Sequence, residues 1–153
     1  MERKYFYVAH FINASQEIYP DNTQAAFTRH LAQPFDLGTS SDWEVGACEI
    51  THKPRRRQIF NGVVVEFISE VNALIYCDLI APQFVGKDIV RVLRSIILWP
   101  ILGKHLFQNI YYLPVEKSEF QDIHIKIKRL DCEPPEFEDI DAPVKIVLHF
   151  RRV

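Results

Sequence analysis

Alternation at period two sets the limits on what this chain can fold into. In DIHIKIKRL (122–130), Ile123, Ile125 and Ile127 alternate with His124, Lys126 and Lys128, which puts apolar groups on the inward face of an extended strand and polar groups toward water. The closing APVKIVLHFRRV repeats the pattern: Val144, Ile146, Leu148 and Phe150 share one face, and Lys145, His149 and Arg151 the other. A helical period would scatter both sets. Chain ends fray unless tied down, so a half-buried closing strand is expected to be paired along most of its length.

Strand signals recur between turn signals along the whole sequence. KYFYVAHF (4–11) ends at a broken stretch containing YPDN; QAAFTRHL (24–31), a Pro/Gly/Ser loop and DWEVGACEI (42–50) follow. IFNGVVVEFIS (59–69) holds Asn61-Gly62 between apolar runs, which predicts a hairpin because both turn residues must take positive φ. Val63, Val65 and Phe67 then read as a strand covered on both faces, and ALIYCDLI (73–80) as the next strand. GKDIVRVLRSIILWPIL is ambiguous: apolar positions 89, 92, 93, 96 and 97 suit a helix, while β-branched content and Pro100 oppose a long one. The expectation is a short helical turn near 87–93 and then a strand.

About eight strands with few helices make the class all-β. At 153 residues and 48% hydrophobic, residues 1–153 are expected to form a single domain. A chain of this length removes roughly 70% of its unfolded surface from water. With 18 basic against 20 acidic residues, a global field for nucleic acid or an anionic membrane is lacking, so such contacts would be local. Neither a signal peptide nor a membrane-spanning run is read: MERKYFYVAHF has a charged start but no long apolar segment, and Lys104 and His105 interrupt the longest apolar stretch, IILWPILGKHLF. Cys48, Cys77 and Cys132 are odd in number and lack CxxC spacing, which fits free buried thiols in a reducing compartment.

Catalytic and metal chemistry find little support. His10, His30, His52, His105, His124 and His149 are separated by 20, 22, 53, 19 and 25 residues, so no two share a helix face or strand edge, and each is expected on a surface or strand face. The HxH pair of cupin-like jelly-roll enzymes is missing, as are GxSxG, P-loop and GxGxxG patterns. Accordingly no enzyme activity, cofactor or metal is expected. The acidic stretch DCEPPEFEDID (131–141) lacks the glycine a calcium loop needs and reads as a solvated connection or a docking surface.

Two stretches could mediate contacts. Lys53, Arg55, Arg56 and Arg57 in KPRRR form a basic cluster able to touch phosphates or a partner, although a charged loop tip is more often only solvated. Arg151 and Arg152 would add to it if they shared an edge. In IILWPILGKHLF (96–107) a domain of this size buries some of the apolar side chains; the remainder would form a subunit interface anchored by Trp99 and Phe107.

Several blocks also carry a likeness to a known family: YPDNTQAAFTRHLAQPFDL, WEVGACEI, IYCDLIAPQFVGKDIVRVLR, YYLPVEKSEFQDIHIKI and VKIVLHFRR. Together, from Tyr19 to Arg152, they resemble the single jelly-roll minor capsid (penton) proteins of Polinton/Maverick transposable elements and adintoviruses. The resemblance implies an eight-stranded antiparallel jelly-roll sandwich with short helical turns in its loops. It also implies a structural, non-enzymatic subunit that assembles as a homo-pentamer at capsid vertices beside a double jelly-roll major capsid protein. Such a subunit resides in the virion capsid, is assembled inside the host cell in nucleus or cytoplasm, makes at most non-specific contact with packaged DNA, and has no membrane partner. Tyr19 to Asn22 would be the turn into the second strand, Trp43 to Ile50 the third, Asp78 to Gly86 the exit from the fifth, and His149 to Arg152 the end of the last. Residues 53–58 and 131–141 depart from the family pattern. On this reading Arg151 and Arg152 are placed to meet a neighbouring subunit or DNA.

Two other classes remain open at the sequence level. A jelly-roll enzyme would hold a metal inside the sandwich. A domesticated or adaptor β-sandwich without a capsid role would be a monomer with one partner groove.

Overall fold

The computed structural model describes residues 5–11, 15, 17–23, 25–38, 42–52, 57–66, 71–98, 104–130 and 144–153. In chain order the strands are β1 (Tyr5–Phe11), β2 (Ala26–Asp36), β3 (Trp43–Thr51), β4 (Arg57–Phe60), β5 (Val63–Glu66), β6 (Val71–Cys77), β7 (Gln83–Val85), β8 (Asp88–Val90), β9 (Val92–Leu98), β10 (Lys104–Leu106), β11 (Leu113–Pro114), β12 (Glu119–Arg129) and β13 (Lys145–Arg152). Period-two patterning makes each of the long strands amphipathic, and the two apolar surfaces can be hidden only against each other.

Sheet one runs β1-β13-β3-β10, with β11 also on β3; sheet two runs β2-β12-β6-β9. Every pairing is antiparallel. Chain neighbours therefore alternate between layers in the early strands, and β13 comes home between β1 and β3. This is jelly-roll connectivity. The closing strand is central, paired with β1 from Tyr5↔Arg151 to Phe11↔Lys145 and with β3 from Lys145↔Thr51 to Arg152↔Trp43.

Between the layers lie the alternate residues named above. Ile123, Ile125, Ile127, Ile146, Leu148 and Phe150 are fully buried, together with Phe27, Val45, Ile75 and Leu79. The outward partners His124, Lys126 and Lys128 are half-buried rather than facing water, because β2 and β6 flank β12 on both sides. At one end Phe6 stacks on Phe150 and on Phe35, each at 4.6 Å between ring centroids, and Phe120 closes the group.

Before β2, Asn22 acts as a substitute strand partner: its amide donates to Thr28 O and accepts from Thr28 N, both at 2.9 Å. The YPDN turn is thereby locked to the entry of the second strand. A helical turn closed by Tyr19 N donating to Ser15 O at 2.8 Å precedes it.

Two hairpins stand apart from the large sheets. The first, β4–β5, turns at Asn61 (φ 47°) and Gly62 (φ 77°), the type I′ geometry its dipeptide predicts. Val63, next to the turn, is exposed, against the expectation of a strand covered on both faces at that position; the side chain of Val65 and the whole of Phe67 lie outside what is described.

The second hairpin, β7–β8, replaces the helical turn expected near 87–93. Gly86 (φ 62°) followed by Lys87 at negative φ is a two-residue type II′ turn, and Phe84 pairs with Ile89 across it. Helix-like spacing arises in β9 because a bulge opposite Ile75/Tyr76 sends both Val92 and Leu93 inward, breaking period two. Two smaller corrections follow. Strand β2 continues past Leu31 through Pro34 to Asp36, and Asp78 to Gly86 leaves the fourth strand of the sandwich, β6, rather than a fifth. No helix among the described residues is long and apolar enough to cross a membrane.

Candidate assembly surfaces

The outer face of sheet one collects aromatic and charged side chains from three strands. On β1 the odd-numbered residues Tyr5 and Tyr7 point outward, opposite in phase to Phe6. On β13 His149 and Arg151 do the same, and Glu44 projects from β3. The segment before β11 lays Tyr112 across them.

Arg151 donates through Nε and Nη2 to Glu44 Oε2 at 3.0 and 2.9 Å, and its guanidinium lies 3.6 Å above the Tyr112 ring. Tyr112 and His149 Nδ1 share a 2.6 Å hydrogen bond. Burial, then the Arg151 charge, holds the His149 imidazole below its ordinary pKa, which favours the neutral ring in this contact. Tyr7 lies 4.5 Å and Tyr5 5.7 Å from the His149 ring. Farther along, Glu49 forms ion pairs with Lys145 and Lys104, whose ammonium nitrogens lie 3.3 and 3.5 Å from its Oε1. Both carboxylates on this face are met by cations.

Of the residues singled out in the sequence, Arg151 is thus tied into its own sheet, and Arg152 is exposed at the end of β13. Phe107 is half-buried against the core, with the Arg94 guanidinium 3.7 Å above its ring; Arg94 also donates to Asn109 O at 2.7 Å. Trp99, Lys53, Arg55 and Arg56 lie outside the described residues, as does the stretch 131–141. Arg57 is described only as the first residue of β4. It belongs to the separate β4–β5 pair, whereas Arg151 pairs with Glu44 in sheet one.

The histidines form local groups that spacing in the sequence could not reveal. His52 and His105 stack 5.3 Å apart with planes 5° from parallel, and His52 is 1% exposed, correcting its expected place on a surface or strand face. Burial first, and then the nearby His105, lower the His52 pKa to about 4. Strand register makes the pair: β10 lies on β3 so that His105 opposes Ile50, two residues before His52.

Ser15, His30 and Asp122 superficially compose a nucleophile set. His30 Nδ1 is 2.8 Å from Asp122 Oδ1, but the Ser15 hydroxyl accepts from the His30 backbone N–H at 2.8 Å, not from its imidazole. A serine bonded to main chain gains no base, so the group tethers the entry turn to sheet two. Bonding from Tyr19, then His30, holds the Asp122 carboxyl below the usual range. Cys77 is a buried free thiol whose pKa burial pushes up to about 12; Cys48 is half-buried and Cys132 lies outside the described residues. Among the described residues no three His, Cys, Asp or Glu side chains are grouped to hold a metal ion.

The β7–β8 hairpin is the most prominent apolar projection among the described residues. Phe84 is 80% and Ile89 63% exposed, and as directly opposed residues they share one face. Its base is held by Ala81 N donating to Pro114 O at 3.2 Å, and by Arg91, which donates to Ile80 O at 3.1 Å and Glu116 at 2.9 Å.

No protein-family model matches the sequence, and no curated protein matches it either. Among solved structures, the crystal structure of the mavirus penton protein superposes with a TM-score of 0.61, covering 99% of this chain and 100% of that one, at 6% sequence identity. The likeness extends over the whole two-layer arrangement, and this chain has a penton-type jelly-roll fold.

Proposed function

We propose that the chain is a structural capsid protein, a penton-type vertex subunit of a Polinton- or adintovirus-like icosahedral particle. The observation that carries this reading is the near end-to-end fold match to a penton protein. On this reading residues 1–153 form one jelly-roll domain that assembles into a homo-pentamer and meets a double jelly-roll major capsid protein. The virion capsid is its place, and the basic residues 53–57 and Arg152 make non-specific contacts with a neighbour or with packaged DNA.

Co-expression with a double jelly-roll major capsid protein and electron microscopy of the particles test the reading. It expects density for this chain at the five-fold vertices. Particles whose vertices lack it, while the chain stays monomeric in the same lysate, would exclude the role.

A further inference from the structure

Edge strands expose unpaired main-chain groups, and proteins usually blunt them with charge, proline or brevity. Three of the four flanks of this sandwich are blunted in that way. Strand β2 carries Arg29 and Pro34, β9 carries Arg94, and the β10/β11 flank is built of three- and two-residue strands with Lys104 and Pro114. Strand β1, YFYVAHF, is seven residues long with no charged residue and no proline, and among the described residues it pairs only with β13. Tyr5 and Tyr7 on its outer face are 59% and 62% exposed.

The β7–β8 hairpin poses the matching problem. An isolated two-stranded hairpin is at best marginally stable in water, and this one presents Phe84, Val85 and Ile89 to solvent. Its anchors at Pro114 and Glu116 put it beside β11, on the flank of sheet one opposite β1. The chain cannot cover one with the other.

Resting on the capsid-subunit reading, we infer that the β7–β8 hairpin of one copy docks on the β1 edge of the next, seating Phe84 and Ile89 against Tyr5 and Tyr7. Patches on opposite flanks form a head-to-tail contact, and repetition of such a contact closes into a ring. The three aromatic rings and Ile89 offer on the order of 500 Å² of apolar surface over the two partners together, about 250 Å² on each, the apolar centre of an interface whose standard size is roughly 800 Å² per partner. The contact is apolar rather than electrostatic: Glu44 and Glu49 on the same outer face are already paired with cations, and Lys87 and Asp88 leave the hairpin turn neutral.

The test mixes a Phe84→Cys chain with a size-tagged Tyr7→Cys chain under a short bismaleimide, with the wild-type chain and its three native cysteines as the blank. Light scattering of wild type and Phe84→Lys accompanies it. The contact predicts mixed 84–7 products, and at least a tenfold rise in the concentration needed for assembly in Phe84→Lys with its thermal midpoint unchanged. Dominant 84–84 or 7–7 products would overturn it in favour of two-fold contacts. A wild-type ring that persists in Phe84→Lys overturns the contact and leaves the capsid reading standing. A wild-type chain that never exceeds one copy also overturns it, and the vertex experiment above then decides the capsid reading alone.

Discussion

Consecutive residues of one strand do opposite work here. Phe6 faces inward, where it stacks between Phe35 and Phe150; Tyr5 and Tyr7 face outward, beside His149. Both groups are aromatic, yet the inner rings have no polar handle and the outer rings mostly do. A ring with a hydroxyl or an imidazole nitrogen can stay wet on one side and still offer a flat contact area, a composition typical of interfaces. The difference teaches that fold and assembly are written on alternate residues of the same strands, so substitutions of similar size should separate them.

The largest effect is expected on the inner face. Phe150→Ala removes the ring shared by Phe6 and Phe120 in a fully buried position, and should cost about 3–5 kcal/mol in urea unfolding. A loss below 1 kcal/mol would mean that the aromatic stack is not what joins the layers.

The inner side also carries a titrating group, His52. Its unfolded imidazole binds a proton near 6.5, but in the fold it resists protonation until about pH 4. The unfolded chain therefore binds more protons in that window. Stability is complete above pH 6.5 and declines as pH falls toward 4, by at most about 3 kcal/mol. Asp122, lowered from the ordinary carboxylate value, adds a loss only at more acid pH. Denaturation midpoints across this range should slope for wild type and slope less steeply for His52→Gln, the remainder coming from His105 and His149, whose imidazoles are also held below their ordinary value; an equal slope in both would remove His52 from the account.

How much of this was legible in the sequence depends on whether a pattern was local. Ile123 to Ile127 and Val144 to Phe150 announced their buried face because nothing interrupts period two across those positions. Asn61-Gly62 announced its hairpin because a type I′ turn requires positive φ at two successive residues. Gly86-Lys87 was harder to read: a type II′ turn demands only one such residue, and the following bulge gave β9 a false helical spacing. The outer cluster was invisible for a different reason. Glu44 and Arg151 stand 107 residues apart, and Tyr112 and His149 37 apart, so only strand pairing brings them together.

The outer face is not uniformly indifferent to the fold, and Gly46 marks the exception. A Cβ there would meet Ile110 Cγ2 and would lie 2.6 Å from Tyr111 O, where the segment carrying Tyr112 crosses β3. Gly46→Ala should cost about 1–3 kcal/mol, read by thermal unfolding, and should loosen Tyr112 from His149. The smallest effect belongs to Arg151. Its pair with Glu44 is solvent-screened, so Arg151→Ala should change monomer stability by less than about 1 kcal/mol while weakening self-association. A loss of several kcal/mol would assign this arginine to the fold.

The central claim is that a β-sandwich whose inner face is closed completes its outer surface with further copies of itself. Native mass spectrometry of the purified wild-type chain over a wide concentration range tests it most directly. The account predicts a single chain giving way to a discrete five-chain species as concentration rises. A single chain at every concentration, or an open series of masses with no preferred size, would contradict it.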